Sequence, residues 1–234
     1  MMDAMYNLYI ANKNYSSWSL RPWVLMRTLD IPFHEHLVPF HDAQAWGEYR
    51  KLSPSGTVPL LRDGSVAVWD SMAITEYLAE RHAGVWPKDP AARAFARSAA
   101  AEMHSSFSAL RNICGMSVGV RVRLHTQPEP LTANLARLSA LWNQGFSAFG
   151  GPFLGGGDFT AVDAFFCPVA FRVQSYGLQL DAESMQYVQR LLALPAMQDW
   201  YRDGLAETFR DLPHDLETSA VGTIVDDLRV PENR

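Results

Sequence analysis

The chain has 234 residues, 48% of them apolar and 19% charged, which suffices for one large core or two moderate ones and excludes a mostly disordered polypeptide. A formal net charge of −5, with Arg and Lys scattered rather than clustered, offers no field for a phosphate backbone, so nucleic acid is not an expected partner. No apolar run approaches the ~20 residues of a membrane helix and no basic-then-apolar leader opens the chain, so a cytoplasmic protein with no membrane partner is expected.

Residues 6–11 read as a short strand, 12–19 as a polar loop and 20–29 as an amphipathic helix. Ile31-Pro32 ends that helix, residues 33–38 alternate as a second strand, and 43–51 make a short helix. After the turn Ser53-Pro54-Ser55-Gly56, two apolar runs at 58–61 and 66–69 flank Arg62-Asp63-Gly64-Ser65 as a hairpin. A helix over 71–82 completes a βαβα-ββα unit, which packs as a mixed four-stranded sheet with helices on its faces. A linker at 85–90 carries Pro87 and Pro90. Beyond Asp89 the periodicity is helical throughout, with no strand, and predicts five helices over 91–116, 131–149, 160–176, 182–194 and 196–209. The last ~15 residues read as a loosely held tail. The prediction is an α/β domain over 5–84 followed by an all-helical domain over 91–220. Cys114 and Cys167 fall in separate helical patterns, so no disulfide framework or Cys-x-x-Cys site can form, and both are expected to be buried and reduced.

In a sheet of this kind ligands gather where a strand crosses to a helix. The loop Asn14-Tyr15-Ser16-Ser17-Trp18-Ser19-Leu20-Arg21 makes that crossing, and the free N–H groups of the helix start favour a thiolate or carboxylate. The same serines serve equally as ordinary N-caps. Val58-Pro59 places a proline at a strand start, either as a plain strand initiator or as a cis bond that bends the chain. Asp70-Ser71 stands before the third helix, where it either caps or helps receive a ligand carboxylate. Met103, Phe107 and Arg111 recur at i, i+4 and i+8, as a core face with a solvated Arg111 or as a pocket wall. His34 and His36 share a strand face near His41 without a third convincing ligand, so no metal is expected.

The order and spacing of these elements resemble the cytosolic glutathione transferase superfamily over nearly the whole chain. The resemblance implies a thioredoxin-like glutathione-binding domain, an all-α bundle, glutathione as co-substrate and a homodimer. Ser16-Ser17-Trp18-Ser19-Leu20-Arg21 is similar to the Ser-Ser-Cys-Ser-x-Arg motif of the zeta class, with Trp18 in the place of its Cys. This implies that Ser16 activates the glutathione thiol, with Ser17 and Trp18 beside it in the binding loop. Tyr15 stays open as a rival donor, because other classes use a Tyr in this loop. Ser53 through Pro59 matches the family's turn into a cis-proline, which implies that the Val58 backbone pairs with the cysteinyl unit. Asp70-Ser71 matches the pair that binds the γ-glutamyl end, and Thr160-Ala161-Val162-Asp163 matches the superfamily's capping box, a structural feature. Zeta-class isomerases hold a substrate carboxylate with an arginine whose position falls on Ser175 here, the nearest arginine being Arg172. The implied activity is conjugation of the glutathione thiolate to small hydrophobic electrophiles, in a detoxification role. The alternatives are zeta-like isomerisation of a maleylacetoacetate or maleylpyruvate type and non-catalytic ligand binding. A glutaredoxin-like exchange is disfavoured because the loop has no cysteine.

Overall fold

The computed structural model describes residues 5–40 and 42–231. Strands β1 (Tyr6–Ile10) and β2 (Phe33–Leu37) run parallel, joined by helix α1 (Ser17–Thr28). Helix α2 (Ala43–Leu52) leads to the antiparallel hairpin β3 (Leu60–Asp63) and β4 (Val66–Trp69), and α3 (Ser71–Ala79) closes the unit. The sheet order is β2-β1-β3-β4. Alternation along the strands sorts the two faces. Leu8, Ile10 and Leu61 join Leu20, Val24 and Ile74 of the helices in the main core, whereas Tyr9 and Leu60 turn to the opposite face with Val38 and Tyr49.

Helix α1 begins at Ser17, three residues before the predicted start, so Ser17 and Trp18 belong to the helix rather than to the loop. Ser17 to Ser19 read as part of the polar loop, and Pro22, ordinarily tolerated in the first turn, sits in the second.

The second part of the chain comprises α4 (Pro90–Ser105), α5 (Ser108–Ile113), β5 (Val120–Leu124), α6 (Glu129–Phe149), α7 (Ala161–Tyr176), α8 (Ala182–Leu192), α9 (Pro195–Ala206), α10 (Leu212–Val221) and β6 (Gly222–Asp227). Helix α7 is buried on every side, as its nearly continuous apolar sequence requires, and it contributes to the same core as α1. Its start is fixed by Asp163, whose carboxylate accepts the Thr160 N–H at 2.9 Å, the Leu154 N–H at 3.0 Å and the Tyr187 hydroxyl at 2.8 Å. The capping box read from the sequence is present.

Three expectations are corrected here. The helix predicted over 91–116 is two helices, broken where Ser106 is extended and Phe107 takes a left-handed conformation (φ 56°). The all-helical reading is interrupted by β5 and β6, which pair antiparallel. The tail is held rather than loose: beyond β6, Leu228 N–H donates to the Gly119 carbonyl at 2.8 Å and Val230 N–H to that of Leu205 at 2.9 Å. Gly119 makes this possible, because a Cβ there would lie 2.3 Å from the Arg229 side chain. Among the described residues no helix is long and apolar enough to cross a membrane.

Candidate active site

The loop between β1 and α1 is anchored largely from the second part of the chain. Glu207 accepts the N–H groups of Lys13 at 2.6 Å and Asn14 at 3.3 Å, and the Trp200 indole donates to the Lys13 carbonyl at 2.8 Å. Asn14 is tied in addition to the segment before β5, its carbonyl accepting from Val118 at 3.1 Å and its side chain from Gly119 at 3.2 Å. Burial pushes the Glu207 carboxyl upward, and its donors from Lys13 and Asn14 pull it back.

Ser16 follows as the N-cap of α1, buried, with its hydroxyl donating to Ser19 Oγ at 2.7 Å. Ser19 Oγ also accepts the Ala11 N–H at 3.2 Å. Ser16 therefore does not cap with its side chain, which leaves N–H groups of the first turn without that partner. Ser16, Ser17, Trp18, Thr57 and Val58 form one side of a cavity of about 290 Å³, and Arg111, Met116, Arg172, His214 and Glu217 form the other. The Val58-Pro59 bond is cis.

Pro59, Asp70 and Ser71 are not part of that wall. Asp70 takes an unusual backbone conformation for a non-glycine residue (φ 74°), caps α3 by accepting the Met72 N–H at 2.8 Å, and brings its other oxygen to 3.5 Å from His104 Nε2. Ser71 is fully buried, and its hydroxyl accepts from Arg21 Nη1 at 3.3 Å. Arg21 links the two groups. Its guanidinium lies 4.1 Å from the centre of the Trp18 ring and 4.8 Å from that of Phe165. Burial first, then repulsion from Arg172 and Arg111, brings its pKa down to about 9.

Tyr15 lines the same cavity, but its hydroxyl is engaged elsewhere. Its hydroxyl donates to Asp215 Oδ1 at 3.0 Å and accepts from Arg229 Nη1 at 2.9 Å, while its ring stacks on His214. Burial, and then Asp215, push the phenol well above its ordinary pKa. Met103 and Phe107 are core residues, but Arg111 reaches the cavity rather than bulk solvent alone. Ser175 is buried and donates to the Ser117 carbonyl at 2.7 Å. One turn earlier, Arg172 is 5% exposed, its Nε has no hydrogen-bond partner and no carboxylate pairs with it among the described residues. Burial, the largest cause, holds it down to about 10. Cys114 and Cys167 are buried and unpaired, and burial pushes the Cys114 thiol up to about 12. His36 is hydrogen-bonded to Asn7 at 2.8 Å, and His41 lies outside the described residues.

Sequence reasoning missed Phe40, His214 and Glu217. The C-terminal pair was findable: Asp211 before Leu212-Pro213 is a helix-start signal, and Thr223-Ile224-Val225 is β-branched.

Residues 15–81 match the family model described as "Glutathione S-transferase, N-terminal domain". The dichloromethane dehalogenase of Methylorubrum extorquens is 42% identical over 65 residues, which are 26% of this chain and 23% of that protein. A protein named probable maleylacetoacetate isomerase in Caenorhabditis elegans is 31% identical over 109 residues, covering 45% of this chain and half of the relative. These stretches thus span half or less of the relatives' own lengths. The fold likeness is longer: the theta class glutathione S-transferase of Xanthomonas axonopodis pv. citri, crystallised with glutathione bound, is 25% identical, with a TM-score of 0.61 over 86% of this chain and 98% of that one. A family-specific match thus identifies residues 15–81 as a glutathione S-transferase N-terminal domain, and the chain shares the glutathione transferase architecture through its second part.

Proposed function

We propose that this chain is a glutathione transferase that conjugates the glutathione thiolate to small electrophiles. The observation that carries the reading is the buried Ser16 hydroxyl at the start of α1, on the same cavity wall as Val58. Free thiols are mostly protonated near neutrality, and a helix N-terminus with a hydroxyl donor favours the anion. Ser16 supplies that donor. A serine has one hydroxyl hydrogen, so Ser16 donating to sulfur must cease donating to Ser19. Ser19, held by the Ala11 N–H, then donates back to Ser16 and completes the set. Val58 offers its backbone edge to the cysteinyl unit, and Asp70 and Ser71 serve the γ-glutamyl end, with the Ser71 hydroxyl held by Arg21. Ser17 and Trp18 line the loop side of the cavity. The resemblance to the glutathione transferases supports a cytoplasmic homodimer.

Isomerisation of a maleyl-type diacid, with glutathione regenerated, is the second reading. It is favoured by Arg172 and Arg111 on the acceptor side, neither of which pairs with a carboxylate among the described residues. The Ser175 departure counts less once Arg172 is seen on the cavity wall a turn away.

Turnover of an activated aromatic halide with glutathione tests the first reading, and conversion of a cis diacid with catalytic glutathione tests the second. Calorimetry on the intact protein stands beside both. Glutathione binding without either turnover would mark a ligand-binding protein instead.

A further inference from the structure

Turning a thiol into a thiolate releases a proton, and the loop and helix start that hold the anion include no side chain suited to take that proton near neutral pH. The cavity wall contributed by the C-terminal segment does. Asp211 is the N-cap of α10; it is buried, and its Oδ2 accepts the His214 N–H at 3.4 Å. The same oxygen is hydrogen-bonded to His214 Nδ1. A carboxylate only accepts, so the ring hydrogen lies on Nδ1 and the neutral imidazole keeps its lone pair on Nε2. Nε2 has no protein partner among the described residues. The ring is clamped between two aromatic faces, Tyr15 and Phe40, with centroids 5.1 Å away on each side and planes tilted by 25° and 28°. Tyr15 is the chain neighbour of Ser16, and His214 and Ser16 line the same cavity. An imidazole with one nitrogen fixed by a buried carboxylate, its plane fixed on both faces and its other nitrogen free is built as a proton carrier.

We infer that His214, oriented by Asp211, is the proton acceptor for the glutathione thiol, an assignment that rests on the transferase reading above. The thiol hydrogen passes to Nε2 and the S–H bonding pair stays on sulfur, which Ser16 holds as thiolate. Sulfur attacks the electrophilic carbon, a C–S bond forms, and the leaving group departs with its bonding pair. The imidazolium then releases its proton to water and the ring is neutral again. The charged and titratable groups facing His214 are Asp211 on its own helix, Tyr15 from the loop with Asp215 and Arg229 behind it, and Glu217, Arg111 and Arg172 on the cavity wall.

The test uses the full chain with glutathione and an activated aromatic halide, following kcat/KM against pH. His214→Phe keeps a ring between Tyr15 and Phe40 and removes the base, and His214→Gln serves the same purpose should the phenylalanine variant not fold. Asp211→Asn keeps an equally good helix cap and removes the carboxylate from Nδ1. The expected result is a loss of on the order of a hundredfold near neutral pH in the His214 variants, recovering as pH rises and hydroxide or solvent takes over. Glutathione binding by calorimetry stays within about twofold, and added imidazole restores rate to His214→Ala. Asp211→Asn falls between. An unchanged pH profile in His214→Phe or His214→Gln, or a loss in His214→Ala that imidazole does not recover, overturns the assignment. If the unaltered protein binds no glutathione, the transferase reading itself falls, and the two failures are told apart.

Discussion

Arg229 Nη1 lies 2.9 Å from the Tyr15 hydroxyl and 2.8 Å from the Asp215 oxygen to which Tyr15 donates, so three side chains from two ends of the chain close one triangle. The phenol beside the binding loop has thereby spent its single hydrogen on a carboxylate. Ser16 has an easier exchange to make, giving up a neutral hydroxyl acceptor for a charged one. Ser16→Ala is therefore expected to raise the pKa of the bound glutathione thiol by about one to two pH units, with turnover near neutrality falling accordingly. Tyr15→Phe is expected to leave the thiol titration in place. Ultraviolet absorbance of the thiolate, followed against pH with glutathione bound, decides it, and a shift in Tyr15→Phe alone would move the donor role to Tyr15.

Arg229 also spans to Asp227, at 2.8 and 2.7 Å, although its side chain is 5% exposed. Truncating it leaves Asp215 and the Tyr15 hydroxyl facing each other without the cation. Arg229→Ala should cost about 2 kcal/mol of stability in a urea titration, discounted from a fully buried pair because Asp215 and Asp227 are partly exposed. Faster amide exchange in β5 and β6 should accompany it. A melt unchanged within error would show that the backbone pairing of β6 alone holds the segment.

What could be read in advance follows from how local each signal is. The strand, loop and helix order around Ser16, the hairpin turn at Gly64 and the Thr160-Asp163 box all lie within a few residues of the structures they specify. Their periodicity and caps were enough. The β5–β6 pairing joins Val120 to Asp227, more than a hundred residues apart, and neither strand buries enough on its own to announce a partner. Missing that pairing turned the last residues into a supposed tail, while the stretch before it, with His214 and Glu217, was assigned to no element. Arg111 was legible either as a solvated end of a core stripe or as a pocket wall, and the stripe could not decide between them because the break at Phe107 changes its direction after Met103.

Burial raises the Asp163 carboxyl to about 6, against the hydrogen bonds from Leu154, Thr160 and Tyr187 that favour the anion. The folded state then keeps a proton that the unfolded chain has released between its ordinary value of 3.8 and about 6. Stability from this group is present below that window and lost as pH rises through it, by up to about 3 kcal/mol. Asp163→Asn, which cannot titrate, should lack this component, so the difference in unfolding free energy between the two proteins should narrow or widen steadily across pH 4 to 6 and level off on either side. A difference that does not vary with pH would show that the hydrogen bonds outweigh burial and keep the carboxylate ionised throughout.

The last prediction concerns which electrophiles the cavity prefers. Arg172 is a cation removed from water without a carboxylate in contact among the described residues, and its neighbours Arg111 and Arg21 add like charge, which is why burial and repulsion hold both Arg172 and Arg21 low. An uncompensated buried charge is costly, and an anionic group on the acceptor offsets that cost where a neutral ring does not. Among aromatic halides matched in reactivity, one bearing a carboxylate should therefore show a lower KM than its neutral counterpart, by about tenfold for a charge-assisted hydrogen bond. Arg172→Met, similar in length and able to fill the same volume, should abolish that preference while leaving kcat for the neutral halide and glutathione affinity nearly unchanged. Replacing the cation also relieves repulsion, so the variant should be no less stable than the parent in thermal melts. Equal KM values for the two halides in the parent protein, or a preference that survives in Arg172→Met, would place the anion-binding role elsewhere and leave Arg172 as a charge the fold merely tolerates.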